Sequence, residues 1–392
     1  MNNTIDFAIE KLDKWIENHD WKAYDPFDGL SSKYTKQLTL NNPILKIILQ
    51  QSIRRFPINL RKILAIKPET SSKAMGFFAQ GYLHLYQTYH SEIFLDKAIY
   101  CLNWLINNPS DGYSGYCWGN HFDYQSRGGR IPKGVPTVVW TGLIGHSFMD
   151  AYELTGDEKY LSVVKSISQF IVNDLPRVQL NDSLCIGYTP QKKDSRLNNA
   201  IHNSNMIGAS ILARLYNETK DSILLNIAAK AVKFTIHYQL EDGGFYYGVA
   251  RKHHWIDSFH TGYVLEALYN YIKYSRDENY RDNLIKGYGY FINTFFGIDG
   301  TPKYYNYKTN PLDIQCASQG IQTLTNLRSL DSRSIEIAKK VASWTITNMQ
   351  DSSGYFYFRK YPFIINKTPT LHWGQATMLA ALAILNHNLL KE

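Results

Sequence analysis

Several features that would place this chain in a familiar class are scarce or missing. Its 392 residues include four cysteines, and none of them forms a C-x-x-C pair: Cys101, Cys117, Cys185 and Cys316. We therefore expect free thiols in a reducing compartment rather than a disulfide framework or a zinc site. The N-terminus, Met-Asn-Asn-Thr-Ile-Asp, has neither the basic nor the apolar region of a signal peptide, which predicts a cytoplasmic protein.

Other absences exclude whole classes of function. No apolar run approaches the length that spans a membrane. The sequence has no phosphate-binding glycine loop, no serine nucleophile elbow and no nucleic-acid-binding motif, so we expect no nucleic-acid partner. The histidines lack the spacing of metal ligands, and we predict neither a metal nor a cofactor.

Acidic residues are missing from one long stretch, residues 31–68, which we call the basic segment. It contains eight of the 42 lysines and arginines; the other 34 equal the 34 acids, so the net charge of +8 belongs to this segment. Its apolar runs, 43–50 and 53–66, make it amphipathic. Three interpretations are open: an excursion packed on the fold, a dock for a membrane surface or a glycosyltransferase, and a lid that offers basic groups to an acidic glycan.

What the chain does have is a repeat. Six helices rich in Gly, Ala, Ser and Leu follow short aromatic stretches, and a more amphipathic helix comes after five of them. Small residues on several faces suit helices that are buried on both sides, which predicts an inner ring. The predicted inner helices are 74–89, 137–154, 203–217, 260–275, 314–328 and 371–388, and the predicted outer helices are 94–107, 159–173, 222–238, 280–294 and 333–349.

Five outer helices leave the ring one short. The helix at 4–18 can supply the sixth by packing beside the last inner helix, whereas an open solenoid would need polar capping repeats. The expected fold is all-α, an (α/α)6 toroid, as one domain over 1–392 with the basic segment as an excursion from it. Aromatic stretches such as 243–248 and 354–359 should form short ribbons at one rim.

That rim is where we expect chemistry, because the N-termini of the inner helices gather there and their dipoles favour anionic groups. Equivalent placement in the repeat predicts that five side chains converge: His202, His260, His372, Asp257 and Asp313. Asp257 could equally be an N-cap, and His260 a packed residue at a helix start. Tyr246 is a further candidate base.

Substrate contacts are predicted around the same rim. The loop 116–133 carries charged residues that could bind a carboxylate or phosphate, with a surface loop of self-satisfied charges as the alternative. The 29 tyrosines and 8 tryptophans supply flat amphipathic rings that suit sugars. The predicted substrate-binding residues are Trp255, Arg251, Asp123, Arg127, Lys133, Trp118, His372, Trp373 and Gln315.

Beyond the basic segment, the pattern resembles the six-hairpin toroid superfamily. That superfamily includes glycoside hydrolases, unsaturated-uronide hydrolases, sugar 2-epimerases, and toroid domains of uronate lyases and uronyl C5-epimerases. The stretches 255–262, 302–305 and 313–319 are similar to proteins found among bacterial surface-polysaccharide biosynthesis functions. The resemblance implies a glycan or glycan precursor as ligand, but no particular reaction. The Trp–Arg–Gly signature of unsaturated-uronide hydrolases is not clearly present, so their catalytic residues are not carried over.

Two kinds of function fit these observations. One is a carbohydrate-active enzyme acting on a uronate-containing bacterial surface polysaccharide or its precursor. Hydrolysis would need two carboxylates astride a glycosidic bond, such as Asp257 with Asp313 or Asp123. Lyase or epimerase chemistry would need a base beside a uronate carboxylate and a positive group, which the histidines, Tyr246, Arg251 and Arg127 could supply.

The other function is a non-catalytic glycan-binding or polysaccharide assembly factor. A terpenoid-handling toroid would need an acid-rich or zinc-binding rim, which this sequence lacks.

Overall fold

A computed structural model describes residues 2–126, 129–191 and 200–391 of the chain. Helices dominate these residues. In chain order they are α1 (Asn2–Asn18), α2 (Thr35–Thr39), α3 (Pro43–Arg55), α4 (Ser72–Tyr89), α5 (Glu92–Asn107), α6 (Val138–Thr155), α7 (Glu158–Gln169), α8 (His202–Thr219), α9 (Ser222–His237), α10 (Ser258–Ser275), α11 (Arg281–Phe295), α12 (Ile314–Asn326), α13 (Ser334–Met349) and α14 (Thr377–Leu389).

The even-numbered helices from α4 to α14 form a closed inner ring. Each contacts the next one in order, and α14 returns to contact α4. Helices α5, α7, α9, α11 and α13 pack outside the inner helices that precede them, and α1 packs against α14. The predicted (α/α)6 toroid is therefore confirmed, and the first helix supplies the sixth outer position.

The turns between inner and outer helices follow one local rule. Four inner helices end at a residue in the left-handed conformation, and the next residue is a serine or an aspartate. The four left-handed residues are His90, Gly156, Lys220 and Arg276. The aspartates Asp157, Asp221 and Asp277 each accept a hydrogen bond from the backbone N–H two residues later. These caps reverse the chain within two residues and so fix the hairpin.

Small residues let the inner helices approach closely. A Cβ on Gly142 of α6 would lie 2.5 Å from Ile207 Cγ2 of α8, which leaves no room for a larger side chain. The predicted helix limits hold to within a few residues, with two differences at the rim. Helix α4 begins at Ser72, earlier than predicted, and the last inner helix opens with a π turn at Leu371–Ala376 before α14.

Short strands form near the inner-helix starts, but mostly outside the predicted aromatic stretches: 243–248 forms only the single bridge of Gly248, and 354–359 contributes Arg359 to a strand and Phe356 to a bridge. Strands β1 (Tyr124–Ser126) and β2 (Gly129–Ile131) pair with each other, as do β3 (Arg177–Leu180) and β4 (Ser183–Ile186); β6 (Arg359–Lys360) lies between β5 (Leu312–Asp313) and β7 (Ile365–Asn366), and all pairs are antiparallel. Other rim contacts are single bridges, such as Ile201 with Gly248 and Asp257 with Tyr305. These two bridges join the start of an inner helix to a neighbouring loop, and so they fix the positions of those helix starts.

The basic segment lies against this rim. Arg61 is buried, its Nε is 2.8 Å from Asp28 Oδ1, and its Nη2 donates to the carbonyl of Asp25 at 2.7 Å. Burial raises the pKa of Asp28 to about 6, although the Arg61 charge acts to lower it. Gln50 of α3 exchanges two hydrogen bonds with the backbone of Gln125. Among the described residues, no helix combines the length and hydropathy of a membrane span.

Replacing Gly354 with alanine is expected to lower the free energy of unfolding by more than about 2 kcal/mol. Gly354 has φ of +112°, and a Cβ there would lie 2.2 Å from the carbonyl oxygen of Lys11 in α1. Urea unfolding measures the effect. Gly289→Ala in α11 is the matched control, because its Cβ meets no atom within 4 Å and helix propensity favours alanine there. Equal effects of the two changes would show that α1 does not depend on this close approach.

Candidate active site

A cavity of about 500 Å³ opens among the N-terminal ends of the inner helices, at the rim where the sequence predicts chemistry. Five inner helices contribute residues from their first turns. These are Lys73 of α4, Trp140 of α6, Asn203 of α8, His260 of α10 and His372 of the last inner helix. The N–H groups at these helix starts point toward the rim, so the field there favours negative charge.

One wall of the cavity holds an aspartate–histidine pair on α10. Asp257 is the N-cap: its Oδ1 accepts a hydrogen bond from the backbone N–H of His260 at 2.9 Å. Its Oδ2 lies 2.7 Å from Nδ1 of the same histidine and 3.1 Å from Nε1 of Trp255. Asp257 is therefore both the N-cap and the group that orients His260. With Nδ1 engaged by the carboxylate, the imidazole has Nε2 left for a ligand.

A second pair of the same kind joins the two ends of the chain. Tyr24 bridges to Thr370, and the N–H of Leu371 donates to the carbonyl of Tyr24 at 2.8 Å. This pairing places Asp25 beside the last inner helix, where its Oδ2 lies 2.6 Å from Nδ1 of His372. Both side chains are almost fully buried.

Burial sets the charge states of this second pair. It lowers the pKa of His372 to about 4, although the neighbouring Asp25 carboxylate acts to raise it. Burial also acts to raise the pKa of Asp25, but His372 and the N–H of Phe27 outweigh it and hold that pKa below its usual value. At neutral pH, His372 is thus a neutral imidazole whose Nδ1 lies against the Asp25 carboxylate, which leaves Nε2 to act on a ligand.

Lys73 is a buried amine with no partner of its own. It is 6% exposed, and its Nζ makes no hydrogen bond or salt bridge with any residue that the structure describes. Three aromatic rings surround the Nζ, those of Tyr263 at 5.5 Å, Phe77 at 5.7 Å and Trp140 at 6.0 Å. Burial lowers the pKa of Lys73 to about 8, although Asp25 acts to raise it. The fold therefore keeps a costly cation in the cavity wall.

Aromatic rings and one arginine complete the wall. The Arg54 guanidinium, from the end of α3, lies 4.4 Å from the centre of the Phe27 ring and 5.5 Å from that of Trp373. Trp255 stacks on Tyr247 with ring centres 4.6 Å apart. Flat rings beside cations suit the apolar faces of a sugar together with an acidic substituent.

Five of the predicted residues line the cavity, namely Asp257, His260, Trp255, His372 and Trp373. The predicted convergence fails for His202 and Asp313. His202 packs against Phe234 and Tyr238 outside this cavity, although it lines a small adjoining pocket together with Tyr246, Asp257 and His260. Asp313 caps α12 and forms a buried salt bridge with Arg359, so both of its oxygens are used inside the wall.

Other predicted contacts also lie elsewhere. Tyr246 stacks on His254 at 4.2 Å, and Arg251 is exposed in a neighbouring 3₁₀ turn; neither lines the main cavity. Gln315 is buried one layer behind the cavity, where its Nε2 donates to the hydroxyl of Tyr263. Trp118 is a core residue whose Nε1 donates to the carbonyl of Leu105.

The charges of the loop 116–133 are largely satisfied by the loop and its neighbours. Asp123 pairs with Arg130 at 2.6 Å and accepts the backbone N–H of Lys133. The side chain of Lys133 lies 3.6 Å from Glu69. Asp123 and Lys133 do not line the cavity, so the surface-loop alternative describes them. Arg127 lies outside the described residues.

Sequence reasoning missed Asp25 and Lys73 as site residues and treated Arg54 only as part of the basic segment. Lys73 is in the first turn of α4, the repeat position of the other cavity residues, but the predicted helix began one residue after it. Asp25 precedes the first inner helix and has no equivalent in the repeat. Only its contact with the far end of the chain reveals it.

A second cavity of about 410 Å³ lies toward the C-terminal ends of the inner helices, and Tyr263 lines both cavities. Its charged groups are mostly paired with one another. Arg214 bonds to Asp150 and Glu153, while Glu266 accepts hydrogen bonds from three side chains of α12. Such pairing indicates a polar interior that stabilises the ring. The first cavity is therefore the candidate active site.

In the described part of the chain, no three histidine, cysteine, aspartate or glutamate residues are grouped so that they could hold a metal ion. The four cysteines are free thiols, as predicted.

Comparison with known proteins identifies the fold of this chain but does not assign it to a family. No protein-family model matches the chain, and no curated protein matches it. Among solved structures, the cellobiose 2-epimerase from Bacillus thermoamylovorans B4167 is 12% identical, with a TM-score of 0.61 over 81% of this chain and 90% of that one. A GH76 α-mannanase from Bacteroides thetaiotaomicron is 14% identical, with a TM-score of 0.60 over 84% and 90%. An unsaturated glucuronyl hydrolase specific for heparin is 13% identical, with a TM-score of 0.58 over 80% and 85%. These structures are carbohydrate-active enzymes, but at such low identity they establish the fold alone.

Proposed function

We propose that this protein is a saccharide epimerase. It removes a proton from a carbon beside a carbonyl or carboxylate group of the sugar and returns a proton to the opposite face of that carbon. His260 and His372 carry the protons. When the C–H bond breaks, its electron pair moves onto the neighbouring oxygen, and it returns to carbon as the new C–H bond forms. We further propose a uronate-containing saccharide of a bacterial surface polysaccharide, or its precursor, as the substrate.

The observation that carries the proposal is the presence of two imidazoles in one cavity, each oriented by a carboxylate within 2.7 Å. They belong to α10 and to the last inner helix, with α12 between them, so they reach the cavity from different walls. Inversion at carbon needs a base on one face and an acid on the other, and the two pairs can supply one group each.

The carboxylates argue against hydrolysis. A glycosidase needs two carboxyl groups aimed at the glycosidic bond. Asp25 and Asp257 each engage a histidine, and Asp257 also caps a helix. Both are therefore positioning residues here, and the imidazoles are the groups left to act on a substrate.

The cations suit the charge that forms during proton removal. Proton removal beside a carboxylate puts negative charge on oxygen, and a preorganised cation in a water-poor site stabilises it. Lys73 is buried and has no hydrogen-bond or salt-bridge partner among the described residues, and Arg54 and Lys252 also line the cavity. This lining supports an acidic sugar over a neutral one. Two structural neighbours are named as cellobiose 2-epimerases, one as a sugar epimerase and one as a polysaccharide lyase, which agrees with proton-transfer chemistry.

Incubating the protein in D₂O with glucuronate- and galacturonate-containing oligosaccharides, and with cellobiose as the neutral comparison, tests the proposal. We expect NMR to show deuterium at one carbon beside the carboxylate or carbonyl, together with the epimer. The same incubation with His260→Gln should show neither.

Other products would assign other functions. An unsaturated, ultraviolet-absorbing sugar would indicate a lyase that uses the same histidines. New reducing ends without deuterium in the substrate would indicate hydrolysis and contradict the proposal. Saccharide binding without any turnover would favour a glycan-binding or polysaccharide assembly factor.

A further inference from the structure

The outer face of the basic segment is unusually apolar. Nine of the twenty large hydrophobic side chains that are exposed in the described residues fall between 34 and 63. They are Tyr34, Leu38, Leu40, Ile44, Leu45, Ile48, Phe56, Ile58 and Ile63. Phe363 and Ile364 extend the patch, because the hairpin that carries them bonds to the backbone of Arg55 and Phe56. Single exposed apolar residues are ordinary, but a cluster of this size indicates a contact surface.

Helix α3 shows that the exposure is not loose packing. Its buried side carries Ile53 together with the polar Gln50, while Ile44 and Ile48 are 67% and 53% exposed. Gln50 is held by two hydrogen bonds to Gln125. The helix is thus fixed on the fold by Ile53 and Gln50 and still turns Ile44 and Ile48 toward solvent, where an ordinary surface helix carries polar residues.

The charge of the same face is of one sign. Arg54 and Arg61 of the eight basic residues turn inward, to the cavity and to Asp28. The remaining six make no salt bridge with any described residue, and all but the half-buried Lys46 are exposed: Lys33, Lys36, Lys46, Arg55, Lys62 and Lys67. The segment 31–68 has no acid.

We propose that this face docks the protein on an anionic membrane surface. Apolar side chains scattered among basic ones, with no acid between them, are typical of surfaces that insert at the headgroup boundary and are attracted to anionic lipids. Helix α3 also carries Arg54 in the cavity wall. Docking would therefore hold one wall of the cavity close to the lipid headgroups.

Vesicle co-sedimentation of the full chain tests this proposal. We expect binding to vesicles with about a third phosphatidylglycerol, little binding to pure phosphatidylcholine, and weakening by salt. Ile44→Ser with Ile48→Ser should lower the partition coefficient by about tenfold or more, and Lys36→Glu with Lys62→Glu should abolish the preference for anionic lipid. Ile223→Ser with Ile298→Ser is the matched control, since both are exposed isoleucines far along the chain in α9 and a loop after α11.

The outcomes separate the alternatives. Loss of binding in the patch variants but not in the control, with unchanged circular dichroism and Tm, supports membrane docking. A wild-type protein that ignores both vesicle types overturns it. If that protein is also a dimer, and the patch variants are monomers by sedimentation equilibrium, the face binds a second copy instead. A monomer that ignores both vesicle types points to a different protein partner, such as a glycosyltransferase.

Discussion

Replacing His372 with glutamine is expected to lower kcat by about 10²–10⁴-fold, the usual contribution of a positioned acid or base. The imidazole is neutral at working pH because burial lowers its pKa to about 4, so it can accept a proton. Glutamine has a similar size and can still bond to Asp25, so the fold should remain intact. Steady-state kinetics and deuterium exchange measure the loss.

His202→Gln is the matched control for this substitution. His202 also starts an inner helix and is also buried, but it lies outside the main cavity, against Phe234, Tyr238 and the small pocket that borders His260. We expect it to change stability with kcat within a few fold. A comparable loss of kcat in both variants would mean that the effect is structural and would contradict the role of His372.

Asp25→Asn tests how His372 is oriented. The Asp25 carboxylate lies 2.6 Å from Nδ1 of His372 and favours a proton there, whereas an amide could offer its own N–H to that nitrogen and favour the other tautomer. Activity should fall, with KM less affected than kcat. A normal kcat in Asp25→Asn would show that His372 needs no orienting partner.

Replacing Lys73 with methionine is expected to abolish most activity and yet stabilise the fold. Burial lowers the pKa of Lys73 to about 8, below the usual value of 10.5, so the folded state disfavours the charge. At pH 7 this difference is equivalent to about 3 kcal/mol. Methionine fills similar space among the aromatic rings without that cost. Urea unfolding and kinetics on the same sample measure both effects.

The lowered pKa of Lys73 also predicts how the stability of the wild-type protein changes with pH. Between pH 8 and 10.5 the unfolded state binds more protons at Lys73 than the folded state, so wild-type stability should rise with pH over that window. That rise should be smaller in the Lys73→Met variant. Lower stability of Lys73→Met at pH 7 would contradict the buried-cation argument.

Lys73→Arg separates charge from proton transfer. If the cation stabilises charge on the substrate, wild-type activity should fall above about pH 8 as Lys73 loses its proton. Arginine keeps its charge, so this variant should retain part of the activity and lose the alkaline limb. The facing titratable groups, Asp25, His372 and His121, have lowered pKa values and should not produce that limb.

The toroid could be predicted because its causes are local. Helical periodicity, small residues on the inner helices and capped polar turns recur at each hairpin, so every repeat supports the same inference. The repeat also led to Asp257, His260 and His372, since equivalent positions meet at one rim. A sequence repeat does not fix the rotation of each helix about its own axis to within one residue.

His202 shows that limit most clearly. In an α-helix one residue is a turn of about 100°. Asn203, the next residue, lines the cavity, whereas His202 faces the outer helix. Asp313 shows another limit, because its partner Arg359 comes from a strand that sequence periodicity does not place beside it.

The pairing of Asp25 with His372 has a consequence for biosynthesis. Asp25 leaves the ribosome before every hairpin of the ring, and His372 leaves it only after the hairpins between them. The second histidine of the cavity therefore stays without its orienting carboxylate until the last inner helix has been made and α1 has met α14. A nascent chain that stops before the last inner helix lacks this pair, and under the proposed function we expect it to be inactive on a sugar.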